Sequence, residues 1–118
     1  MVSDLERELR SAMAGDVRAD AYTRHLFSTD ASMYSIEPLA VVFPRDAADV
    51  AAAVDVCARA RVPMLPRGAG TSLAGQTVGR AVIIDTSRHM DAILEVDREG
   101  RTARVQPCLL YTSPSPRD

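Results

Sequence analysis

The chain has 118 residues, 47% of them apolar and 25% charged, the balance of one soluble globular domain, which excludes disordered and collagen-like chains. With 16 acidic and 14 basic residues the net charge is −2, without the basic excess of a nucleic-acid binder. No apolar run approaches the roughly 18 residues of a membrane span, the N-terminus lacks the basic-then-apolar order of a secretory signal, and Cys57 and Cys108 are too few for a disulfide framework. A cytoplasmic setting is therefore expected, with no nucleic-acid partner and no membrane span. All the basic residues are arginine, and Lys, Asn and Trp are absent, a codon signature of a GC-rich genome.

Ser3-Asp4-Leu5-Glu6 has the S-x-x-E form of a capping box. Leu5, Leu9 and Met13 follow at helical spacing up to a stop at Gly15. A second short helix is expected over residues 17–26, then an extended loop over 27–38. Residues 39–43 form a short apolar run closed by Pro44, suited to a buried strand. Residues 46–61 predict a helix with Val50, Val54 and Cys57 on its apolar face, acids in its first turn and arginines in its last. Val62-Pro63 ends it, and a strand over 63–67 completes a β-α-β unit. Residues 81–85 read as a further strand. Residues 93–97 and 102–106 flank Arg98-Glu99-Gly100-Arg101 as a hairpin, with Ala103 and Val105 facing one way and Thr102, Arg104 and Gln106 the other.

Residues 108–118 break this pattern. Their order, Cys-Leu-Leu-Tyr-Thr-Ser-Pro-Ser-Pro-Arg-Asp, matches one reading frame of a transposon adapter used in sequencing libraries. The segment is expected to be a non-native tail, with residues 1–36 a helical segment and 37–107 the truncated start of a larger domain.

The stretch that carries chemistry is Pro66-Arg67-Gly68-Ala69-Gly70-Thr71-Ser72-Leu73-Ala74-Gly75-Gln76. Three glycines with small neighbours let successive backbone N–H groups converge into an anion-binding concavity, and Thr71 and Ser72 add hydroxyl donors. A flexible surface turn is the competing reading of such a loop. A Walker A loop is excluded because the chain has no lysine. A dinucleotide fingerprint is excluded by the spacing, G-x-G-x-x-x-x-G instead of G-x-G-x-x-G opening a helix. The loop is instead expected to join strand to strand and to hold a phosphate or pyrophosphate by its amides.

These residues resemble a known family. The stretch from Ser28 through Asp30 to Tyr34, then Pro38 and Val41-Val42-Phe43-Pro44-Arg45-Asp46, then the glycine loop, is similar to the FAD-linked oxidases of the vanillyl-alcohol oxidase/p-cresol methylhydroxylase (PCMH) type. Within these the D-lactate and glycolate dehydrogenase branch is the nearest likeness, and residues 5–107 take part in it. The resemblance implies an α+β fold: helices, then β-α-β and a further small set of strands, forming the N-terminal part of a PCMH-type FAD-binding domain. It also implies that Pro66, Arg67, Gly68, Ala69, Gly70, Thr71, Ser72, Gly75 and Gln76 surround the FAD pyrophosphate, with Gly75 and Gln76 towards the flavin. Arg67 either favours the phosphate charge or points outward into solvent. Members with covalent flavin often carry a histidine in this loop, and none occurs here, so non-covalent FAD is implied.

The implied parent is a flavoprotein that oxidises a small 2-hydroxy acid by hydride transfer to FAD. It passes electrons to an acceptor, through an iron–sulfur region only where one follows residue 107, and peripheral attachment to an inner membrane is compatible with it. No catalytic residue and no metal ligand is carried over onto this chain, and residues 1–107 alone are expected to be inactive. A stand-alone nucleotide-binding module, and an FAD oxidase of a sugar or aromatic alcohol, remain alternatives. Of the other polar residues, His25 and His89 stand alone at no metal-ligand spacing, Cys57 reads as a buried small hydrophobe, and Asp30 with Tyr34 either holds the long loop or caps a turn.

Overall fold

In the computed structural model, residues 2–29, 32, 35–71, 75 and 78–109 are described. Helix α1 covers Val2–Ala12, strand β1 Asp16–Arg18, helix α2 Ala21–Leu26, strand β2 Ala40–Phe43, helix α3 Ala47–Ala60, strand β3 Met64–Arg67, strand β4 Val82–Asp85, and strands β5 and β6 Ile93–Asp97 and Thr102–Val105. The first four strands make one sheet in the order β1-β2-β4-β3, and β5 and β6 make a separate two-stranded ribbon. β2, β4 and β3 run parallel, with Val41 opposite Ile83 and Leu65 also opposite Ile83, while β1 is antiparallel to β2. β4 thus occupies the slot between the two strands that α3 connects.

Alternation along these strands splits the core into two faces. Val42, Val82 and Ile84 point to the side covered by the helices, where they meet Leu5, Leu9 and Met13 of the first segment and Ala53, Val56 and Cys57 of α3. Val41, Phe43 and Ile83 point to the other side, against Phe27 and Leu65. Strands β2 and β4 are buried at every position, as expected of parallel strands sheathed on both sides.

Three local expectations are corrected. The first helix begins at Val2, so Ser3 lies inside its first turn, and Glu6 accepts a hydrogen bond from Arg10 at 2.7 Å instead of reaching back as a box partner. The helix expected over 17–26 is half strand: Val17 is buried with exposed neighbours, and it pairs with Val42. Asp20 then caps α2 by accepting from the Thr23 amide at 2.9 Å. That bond, together with the Thr23 hydroxyl and Arg18, outweighs desolvation and lowers the Asp20 carboxyl to about 2. The buried face of α3 is Asp49, Ala53, Val56 and Cys57, whereas Val50 is half-buried and Val54 exposed. The buried stripe thus runs about one residue round the helix from the expected one, and Ala53 on it packs in the same cluster as Leu5 and Leu9 of α1. The expected hairpin strand is present as β6, with every residue exposed, so among the described residues Ala103 and Val105 have no core beneath them.

The corner between α1 and β1 is held by one carboxylate. Asp49, buried in the first turn of α3, accepts from the amides of Ala14 (2.9 Å), Gly15 (2.8 Å) and Arg45 (3.1 Å). Burial pushes this carboxyl up, but the three amides and the Arg45 charge outweigh it and hold it below the usual aspartate range. Gly15 has no room for a side chain: a Cβ there would lie 2.1 Å from the Phe43 carbonyl oxygen.

Candidate functional site

The parallel strands end level with one another. Arg67 and Asp85 are register partners, and Phe43 lies one step beyond the pair Val42–Ile84. The chain segments leaving β2, β3 and β4 therefore emerge at one edge of the sheet, the carboxyl edge at which α/β proteins of this topology take their ligands. The turn after β2 enters α3, whose Asp46 cap accepts from the Asp49 amide at 2.9 Å. The turn after β4 is closed by Asp85, which accepts from the Ser87 amide at 2.7 Å and from its hydroxyl at 2.6 Å. The segment after β3 is the glycine loop, and none of its described residues is helical, as the strand-to-strand reading requires.

Within that loop Gly68 and Gly70 are half-buried, and Ala69 and Thr71 are exposed. Gly70 and Gly75 both have positive φ, 72° and 79°, the left-handed conformation that glycine adopts without strain. Among the described residues no carbonyl accepts from the amides of Gly68, Ala69, Gly70 or Thr71, the condition under which a run of N–H groups can serve an anion. Pro66 is exposed at the end of β3. Ser72 and Gln76 lie outside the described residues, as do Asp30 and Tyr34.

Arg67 is half-buried and does not reach straight into solvent. Its guanidinium carbon sits 5.1 Å from the centre of the Phe27 ring, and Nη1 donates to the Phe27 carbonyl at 3.3 Å. Phe27 in turn meets Phe43 edge-on, with ring centres 5.7 Å apart, and the Arg88 guanidinium covers Phe43 at 3.7 Å. Sequence reasoning missed this layer of rings and guanidiniums, because its four members are far apart in the chain and none has a periodic signature.

A cleft of about 630 Å³ opens beside the loop, lined by Val50 and Val54 of α3, Met64 and Pro66 of β3, and by Gly68 and Met90. It follows the free edge of β3. Val82 and Thr86 donate to the carbonyls of Pro63 and Arg67, so residues 63, 65 and 67 turn their peptide groups to β4 and residues 64 and 66 turn theirs outward. Position 66 is proline and offers no N–H there, which blunts the edge against further pairing.

Of the lone candidates, Cys57 is buried as expected, and burial pushes its thiol up. His25 sits in the last turn of α2. The His89 Nε2 is buried and has no hydrogen-bond partner among the described residues. No group of three or more His, Cys, Asp or Glu able to hold a metal occurs among the described residues. No described helix is long and apolar enough to cross a membrane.

The sequence profile of the FAD binding domain family matches residues 38–111. The chain belongs to that family. It is 42% identical over 105 residues to the D-2-hydroxyglutarate dehydrogenase of Pseudomonas putida, an alignment covering 86% of this chain and 10% of that protein. It is 41% identical over 88 residues to the glycolate oxidase subunit GlcD of Bacillus subtilis, covering 71% of this chain and 18% of the relative. Among solved structures, alkyldihydroxyacetonephosphate synthase superposes with a TM-score of 0.76 at 24% identity, over 88% of this chain and 24% of that one. Substrate-bound p-cresol methylhydroxylase superposes with a TM-score of 0.68 at 18% identity, over 91% and 22%. The α+β, PCMH-type FAD-binding fold expected from the loop and its flanking strands is thus borne out, and the chain spans about a tenth of the length of the D-2-hydroxyglutarate dehydrogenases it matches.

The residues present fit an FAD of this family. A pyrophosphate needs several converging donors and little opposing charge. Among the described residues the loop supplies four amides from which no carbonyl accepts, and two glycines, Gly70 and Gly75, in the left-handed region.

Proposed function

We propose that this chain is an FAD-holding part of an oxidoreductase that acts on a small 2-hydroxy acid. The observation that carries the reading is the set of amides at residues 68–71, at the carboxyl edge of the sheet, with no carbonyl acceptor among the described residues. These amides and the Thr71 hydroxyl hold the pyrophosphate, with Ser72 assigned the same role from the sequence. Pro66 and Arg67 fix the start of the loop, and Gly75 and Gln76 lie towards the flavin. FAD supplies hydride acceptance when bound. The chain's own contribution is to neutralise and orient the phosphates, so that the reactive ring is presented to whatever segment binds substrate.

The substrate class rests on the relatives' names: D-2-hydroxyglutarate, glycolate and, in the mitochondrial enzyme of Kluyveromyces lactis, D-lactate are all 2-hydroxycarboxylates. The electrons pass to a separate acceptor, such as a quinone or an iron–sulfur centre. Attachment of FAD is non-covalent, because no histidine occurs between Pro66 and Gln76.

The test is anaerobic titration of the purified intact gene product with D-2-hydroxyglutarate, glycolate and D-lactate. Bleaching of the flavin band by one of them is expected. Bleaching only by an aromatic alcohol or a sugar would overturn the substrate class, and a preparation that takes up no FAD would point to a nucleotide-binding module without redox chemistry. Acid precipitation should release the flavin into the supernatant, and yellow colour staying with the pellet would refute non-covalent attachment. Residues 108–118 are proposed to be non-native, and independent sequencing of the source DNA through codons 100 to 118 decides this.

A further inference from the structure

We propose that Arg67 is a positioning residue that sets the conformation of the glycine loop, acting on the cofactor through the loop backbone instead of through a direct contact with phosphate. This rests on the FAD reading above for its functional consequence, and on geometry for its structural part. An arginine ending a strand just ahead of an anion loop would ordinarily be assigned to the anion. Here the guanidinium is already occupied. The Phe27 ring lies 5.1 Å from its carbon, and the Phe27 carbonyl accepts from Nη1. The loop folds back onto the same group: a Cβ built at Gly70 would fall 2.5 Å from Nη2, 3.0 Å from Cζ and 3.1 Å from Nε. Gly70 is therefore glycine for two reasons, its φ of 72° and the guanidinium against its α-carbon.

The contact has a firm base. Phe27 leans on Phe43, which is almost wholly buried in β2, and Arg88 covers Phe43 from the turn after β4. A continuous stack thus runs from Gly70 through Arg67, Phe27 and Phe43 to Arg88. It passes the position of the sheet core to a loop whose own amides make no bonds within the described protein. A planar cation can lie flat against a ring and still donate to a carbonyl, which a lysine ammonium cannot do with the same geometry.

The experiment compares Arg67→Lys, Arg67→Gln, Phe27→Leu and the Arg67→Lys/Phe27→Leu double variant in the intact gene product. FAD dissociation constants are taken from flavin fluorescence at two salt concentrations. A positioning role predicts that Lys and Gln weaken FAD equally, by about tenfold, because charge without the flat fork does not rescue. It also predicts that the double variant is no weaker than Arg67→Lys alone, and that the salt dependence of binding is unchanged. Wild-type affinity in Arg67→Lys, or a salt dependence that collapses in Arg67→Gln, would overturn it in favour of a direct charge contact.

Failure of the FAD reading is recognised separately, by a wild-type protein that does not bind FAD at all. The loop amides then decide the structural part. In nuclear magnetic resonance spectra of the FAD-free protein, Arg67→Lys should shift Gly68, Ala69, Gly70 and Thr71 while leaving Val82 and Ile83 in place. Unmoved loop amides would sink the proposal.

Discussion

Strands β2 and β4 and strands β5 and β6 all carry valine, joined by isoleucine in β4 and β5, yet they live in opposite surroundings. Every residue of β2 and β4 is buried, while in the ribbon Val96 is 63% exposed, Ile93 58% and Leu94 57%. The ribbon also carries a bulge between Ile93 and Glu95, which twists a pair of strands and breaks the strict alternation a buried face would need. Apolar residues of strand type therefore predict that a strand exists, and say little about what covers it. Burial of the sheet depends on partners contributed from far along the chain: α1 and α3 on one side, Phe27 and the arginines on the other.

The contrast can be broken or sharpened by substitution, followed through denaturant or thermal unfolding. The largest loss is expected for Ile83→Ala at the centre of the sheet, fully buried between β2 and β3. It should cost about 2–5 kcal/mol through lost transfer energy and a cavity. Gly15→Ala comes next at roughly 3 kcal/mol, since its methyl meets a backbone carbonyl that cannot swing aside.

Asp49→Asn should cost about 2 kcal/mol, because an amide side chain cannot accept from three backbone N–H groups as a carboxylate does. The same group gives a pH dependence with a definite sign. Its folded carboxyl titrates below the ordinary value of 3.8, so its stabilisation is complete above that pH and is lost as the pH falls further, through the lower folded value. In Asp49→Asn this part of the acid sensitivity should vanish. The smallest effect is expected for Val96→Ala in the ribbon, within about 0.5 kcal/mol of wild type. A loss there as large as that of Ile83→Ala would mean that the ribbon is covered in the native protein, and the contrast would disappear.

The parallel part of the fold was legible because it is local: β2, α3, β3 and the loop follow one another with proline, glycine and capping signals between them. The helix over Ala47–Ala60 and the strand over Val82–Asp85 fall within one residue or so of where the apolar runs and caps place them. β1 was not legible, since three residues carry no period of their own and Val17 becomes a strand residue only by pairing with Val42. Asp49 looked like an ordinary first-turn acid favoured by the helix dipole, and nothing local announces that it reaches across to Ala14 and Gly15. The glycine loop was recognisable from composition and spacing. The stack beneath it was not, because a contact between Arg67 and Phe27 joins residues 40 apart and belongs to tertiary packing.

The position of β4 has a consequence for how the chain assembles. β2 and β3 are joined by α3 but do not pair with each other; β4 lies between them and pairs with both, while the other edge of β2 pairs with β1. During synthesis the helical crossover can form as soon as it leaves the ribosome, but its two strands then flank an empty slot, with Val41 and Leu65 facing a gap. The sheet can close only when Val82–Asp85 has been translated and slides between them, and until then the open backbone of β2 is a template for any other extended chain nearby. The glycine loop, which lies between β3 and β4 in the sequence, is thus the tether whose length sets how quickly that insertion can occur.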